Sequence, residues 1–110
     1  MAYDTKLEQR IDKLTADWGV GKKKMFGGLG YSINGNMCFG IHKDELIVRA
    51  TEEQGTELLK KPGTHPFDIM QNRPPAKTWF MAGGKAISED KKLLELLELS
   101  HAYALSLPPK

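Results

Sequence analysis

The chain has 110 residues, 40% apolar and 27% charged, with a formal net charge of +2. That length suits one domain over residues 1–110, and so weak a charge, with acids and bases interspersed, is no argument for nucleic acid by itself. A lone cysteine, Cys38, excludes an internal disulfide and fits a reducing cytoplasm, and there is neither a basic-then-apolar leader nor an apolar run near membrane length.

The first element reads as a helix. Tyr3, Leu7, Ile11, Leu14 and Trp18 recur at spacings of four and three, so they share one face. Asp4 or Thr5 suits its start, and Gly19 and Gly21 its end. Strands are expected over residues 22–26, 29–33, 36–42 and 46–50. Asn34-Gly35 between the second and third is a two-residue hairpin signal, because both residues accept positive φ. Thr51 and Gln54 have capping-box spacing for a second helix that Gly55 interrupts and Pro62-Gly63 stops. A proline-rich stretch follows, with a short strand near residues 67–70 and an aromatic strand over residues 78–82. Ser88 is placed to cap a last helix with Leu93, Leu96, Leu97, Ser100, Ala104 and Leu107 on one face, and Pro108-Pro109 end it. Helix, strands, helix, strands, helix implies an α+β fold, with an antiparallel sheet of about five to six strands and three helices.

The glycine-rich run from Lys24 to Gly40 poses the main chemical question. A phosphate loop needs a strand, a glycine turn and then a helix whose amides face the anion. Here a strand follows Gly27-Gly28, and "GVGKKK" lacks both the first glycine and the Ser or Thr of a P-loop. Uninterrupted pairing outward from Asn34-Gly35 sets Tyr31 opposite Cys38, Gly30 opposite Phe39, Leu29 opposite Gly40 and Gly28 opposite Ile41. Large side chains would then lean across glycines. In that register Met37, Phe39 and Ile41 form one face and Leu29, Tyr31, Ile33 and Cys38 the other. Antiparallel sheets usually leave one face polar, so a second apolar face implies either more helices or a partner.

No pair of residues has metal-ligand spacing. Cys38 and His42 share a strand face but lie about 13 Å apart at ~3.3 Å per residue, too far for ligands bonded to one zinc. Nothing places Cys38 in an activating setting such as a helix N-terminus, and Glu89, Asp90, Glu95 and Glu98 fit a solvated helix face. No catalytic residue, cofactor or metal is expected, and the chain does not read as an enzyme.

The stretch "KKMFGGLGYSINGNMCFGIHKDELIVRA" resembles the N-terminal domain of the TfoX/Sxy proteins. The likeness rests on Met25, Phe26, Gly27, Gly28, Gly30, Gly35, Met37, Phe39, Asp44 and Arg49, with weaker agreement at "GTHPFDI", around Trp79 and in the acidic, leucine-rich last helix. It runs from about Leu7 to Leu105. The resemblance implies a compact α+β domain of the kind seen in secretion chaperones, without catalytic residues. Full-length members of that family regulate natural-competence genes together with a transcription activator, and they carry a second, helical domain. The 110 residues hold no counterpart of that domain, so DNA targeting through it is not expected here.

The expected function is that of a small, non-enzymatic cytoplasmic interaction or regulatory protein. It would bind a protein partner or itself through Leu29, Tyr31, Ile33 and Cys38, with Met25, Phe26, Gly27, Gly28, Gly30, Asn34, Gly35 and Phe39 as the structural motif. The alternative is a nucleic-acid-binding module using Lys22, Lys23 and Lys24 with the aromatic-basic stretch from Lys77 to Lys85. It predicts binding that weakens steeply with salt.

Overall fold

The computed structural model describes residues 3–25, 28–67 and 78–109. The helices are α1 (Thr5–Leu14), α2 (Glu52–Leu58) and α3 (Asp90–Leu105). The strands are β1 (Gly21–Met25), β2 (Gly28–Ile33), β3 (Asn36–His42), β4 (Glu45–Arg49), β5 (Thr64–Pro66) and β6 (Trp79–Ala82). They form one antiparallel six-stranded sheet in the order β1-β2-β3-β4-β6-β5. The α+β expectation holds. A short strand forms at Thr64–Pro66, ahead of the one expected near 67–70, whose residues 68–70 lie outside the described residues.

Local chemistry accounts for most element ends. The Asp4 carboxylate accepts hydrogen bonds from the amides of Lys6 and Leu7 and starts α1. Tyr3 therefore lies outside the helix, where it forms a parallel bridge to Lys43. Thr51 and Gln54 close the expected capping box of α2. Ser88 does not cap α3: its hydroxyl donates back to the Lys85 carbonyl at 3.2 Å across the short 3-10 turn Gly84–Ala86, and Glu89 becomes the uncapped N-cap. The expected α3 face is buried at Leu93, Leu96, Leu97, Ser100 and Ala104.

The Asn34-Gly35 turn adopts φ of +54° and +80°, as a type I′ hairpin requires. The two innermost pairs, Ile33 with Asn36 and Ser32 with Met37, match simple counting. A bulge then inserts Cys38, so Tyr31 pairs with Phe39, Gly30 with Gly40 and Leu29 with Ile41. One extra residue reverses the alternation of everything beyond it. The expected pairing of Gly30 with Phe39, Leu29 with Gly40 and Gly28 with Ile41 is thus corrected, and so is the division of the hairpin into two apolar faces.

The corrected register builds two continuous apolar rows on one face: Leu29, Ile41, Leu46 and Ala82, and beside them Tyr31, Phe39, Val48 and Phe80. All eight are buried in one core with Leu7 and Ile11 of α1, Leu58 of α2 and the inner residues of α3. Removing such surface from water is the main term that holds the fold together, at about 25 cal/mol per Å². The row between them, Gly30, Gly40, Ile47 and Met81, points to the opposite face, where Ile47 is 8% and Met81 1% exposed.

Arg49 ties the end of β4 to its surroundings. Its guanidinium lies 4.7 Å from the centre of the Trp79 ring and 5.1 Å from that of Tyr103. Nη1 donates to the Met37 carbonyl at 3.0 Å, and the main-chain amide donates to Ser100 Oγ at 3.1 Å. One side chain thus braces β3, β6 and α3, which is what an arginine at this motif position does here.

Candidate functional site

The surface expected for a partner is inside the monomer. Leu29, Tyr31 and Cys38 are buried, and Ile33 packs half-buried against the same core. The bulge at Cys38 puts Phe39 and Ile41 on the same face as Leu29 and Tyr31, in the core shared with α1 and α3. Leu29, Tyr31 and Cys38 are corrected from interface residues to core residues, and Ile33 to the margin of the core. The glycines and the turn of the motif, Gly28, Gly30, Asn34 and Gly35, shape the hairpin, Phe39 sits fully buried at the core's centre, and Met25 ends β1 opposite Gly28. Phe26 and Gly27 lie outside the described residues.

The basic clusters do not come together. Lys22 is neutralised: its Nζ donates to Glu8 Oε2 and Asp12 Oδ2, both at 2.9 Å. The hydrogen bonds to Asp12 and Glu8 hold its pKa above the usual lysine value. Asp12 also accepts from the Tyr31 hydroxyl at 2.8 Å, which joins α1 to β2. Lys23 and Lys24 remain exposed on β1, at one edge of the sheet, where lysines discourage strand-to-strand aggregation. Lys85 follows β6 near the other edge, and Lys77 lies outside the described residues. No single basic surface unites Lys22, Lys23 and Lys24 with Lys85.

The histidines are dispersed as well. His65 Nε2 lies 3.0 Å from both carboxylate oxygens of Glu45, while His101 stacks on Trp18 with ring centres 4.6 Å apart. Among the described residues, no group of three His, Cys, Asp or Glu side chains is placed to hold a metal. No helix there is long and apolar enough to cross a membrane.

Cys38 is chemically quiet at neutral pH. Burial pushes its thiol up to about 11, against a smaller opposing pull from Arg49. Burial and the bond to Asp12 likewise raise the Tyr31 phenol. Above the ordinary thiol pKa the unfolded chain loses a proton that the folded chain keeps, so stability falls as pH rises from about 8.5 toward 11, at up to about 1.4 kcal/mol per pH unit. Tyr31 adds to the fall above about 10. Urea midpoints should decline from pH 8.5 to 10 in the wild type, with the onset moved upward in Cys38→Ala. A flat profile in the wild type would contradict the burial of the thiol.

Sequence reasoning missed a recessed feature of the described surface. Between the end of α2 and the first half of α3 runs a groove of about 560 Å³. Leu58, Leu96 and Leu99 are among its apolar lining residues, with Ala86 beside them. Lys61, Lys85, Lys91 and Lys92 stand around it, against Glu89 and Glu95. Lys92 approaches Glu89 at 3.8 Å; among the described residues, Lys61, Lys85 and Lys91 make no ion pair. The signal was present but divided. Lys60-Lys61 reads as a solvated helix end, Lys85 as part of an aromatic stretch, and Leu99 falls off the inward stripe of α3. Only the fold, which sets the end of α2 and the segment after it near α3, brings them together.

The model of the TfoX N-terminal domain matches residues 13–104. The chain belongs to the TfoX N-terminal domain family. The match spans the hairpin motif, the Arg49 brace and both helices that wall the groove, so each of these features lies within the TfoX N-terminal domain. No curated protein and no solved structure matches the chain.

Proposed function

We propose that this TfoX N-terminal domain is a small cytoplasmic regulatory module that acts by binding another protein and not by catalysis, in keeping with the competence regulators its sequence resembles. The groove between α2 and α3 carries the proposal. It offers half-buried Leu99 in a recess, whereas the sheet buries most of its described apolar residues and leaves Ile33, Met37 and Trp79 half-buried. A concave apolar surface with a charged border is the form in which proteins hold a partner's side chains. The buried, protonated thiol of Cys38 fits a role without a cysteine nucleophile.

Site-specific photo-crosslinking in native lysate tests this. A benzophenone side chain at Leu99, on the groove, should trap a discrete protein adduct, and the same group at exposed Lys13 on α1 should not. Equal labelling from both positions, or no adduct from Leu99, would remove the groove as the working surface.

A further inference from the structure

We infer that the occupant of the α2–α3 groove is an acidic segment of another protein. Its apolar side chains rest chiefly on half-buried Leu99, beside the edges of Leu58 and Leu96, which are only 5% and 6% exposed, and its carboxylates face Lys61, Lys85 and Lys91. This deepens the binding function proposed above and rests on it. Charge complementarity around a partly exposed leucine selects this occupant. Four lysines and two glutamates line the groove, leaving an excess of two positive charges. The three lysines without an ion pair among the described residues lie on separate elements: Lys61 after α2, Lys85 in the 3-10 turn and Lys91 in the first turn of α3. A ligand lying along the groove therefore meets positive charge from each of these elements.

The division of labour follows from magnitudes. An exposed lysine–carboxylate pair contributes little to affinity, whereas buried leucine surface contributes in proportion to area. Leu99 supplies most of the apolar contact; the lysines choose an acidic partner, steer it in and reject a basic one. A nucleic acid fits less well. Its phosphates would meet the two glutamates, its bases would find no aromatic platform in the groove lining, and Leu99 would be left without an apolar ligand.

A phage-displayed library of random peptides roughly a dozen residues long tests the chemistry without presuming a sequence. Selected peptides, synthesised with a fluorescent label, should carry net negative charge and at least two large apolar residues. The double variant Lys85→Glu/Lys91→Glu should weaken their binding at least about tenfold, as should raising salt from about 50 to about 300 mM. These lysines are exposed, so the variant keeps the fold, and circular dichroism checks it. Selected peptides that are neutral or basic, or indifferent to the double reversal, overturn the acidic occupant. If such peptides still fail on Leu99→Ala, the groove remains a binding site and only its proposed partner is wrong. If no selected peptide responds to Leu99→Ala, the protein-binding function falls too. Dimerisation abolished by the double reversal, or displacement of the peptides by a short single-stranded oligonucleotide, would replace the acidic segment by a second copy or by nucleic acid.

Discussion

Gly40→Ala is expected to destabilise the domain by about 3 kcal/mol or more, a large share of the roughly 5–15 kcal/mol a domain of this kind holds. A methyl group there would overlap the Leu29 carbonyl oxygen and lie 2.9 Å from Met37 Cε. The methionine can swing aside, but the carbonyl cannot. It belongs to the backbone of β2, beside the close pair of Gly30 with Gly40, and Leu29 itself pairs with Ile41. Relief requires parting β2 from β3 in the middle of the sheet. Urea unfolding followed by the fluorescence of Trp18 and Trp79 measures the cost. Gly21→Ala is the matched control, because nothing lies within 4 Å of the added carbon. A Gly40→Ala midpoint equal to that of Gly21→Ala would show that the close strand approach is not needed.

Gly55→Ala tests sign as well as size. Alanine in place of glycine inside a helix normally gains about 1 kcal/mol. Here the added methyl would overlap the ring of Phe80, which is only 6% exposed and held in β6 between β4 and β5. Overpacking of that kind costs about 1–3 kcal/mol, so a net loss of up to about 2 kcal/mol is expected, with α2 displaced outward. Leu58 rides on the same helix and lines the groove, so peptide binding should weaken as well. The double variant Gly55→Ala/Phe80→Leu should recover much of the loss, because the smaller side chain removes the overlap and the two sites are directly coupled. Stabilisation by Gly55→Ala alone would mean that α2 does not pack on Phe80 as described.

The same glycine shows where local reading stops. In sequence, Gly55 looks like a weakness in α2. In the structure it is the contact surface of that helix, because the residue it faces comes from a strand 25 positions later. The hairpin gives a similar lesson. The turn at Asn34-Gly35 was legible because only residues tolerant of positive φ fit it. The bulge at Cys38 was not, because it is selected by what it buries. It gathers Leu29, Tyr31, Phe39 and Ile41 on one side, beneath α1 and α3. Missing that one residue was enough to place core side chains on a supposed interface.

The order of elements, the hairpin turn, the capping box of α2 and the inward face of α3 were determined by the sequence alone, since each depends on residues within a few positions of one another. So was the family resemblance, because its motif is concentrated in one short run from Met25 to Arg49. Tertiary structure alone decided the strand register beyond the turn, the burial of Cys38 and Tyr31, the separation of the basic clusters to different sheet edges, and the groove between α2 and α3. Each of these is a relation between distant segments, set by how the apolar area of the whole chain is most fully buried, and no window along the chain contains that condition.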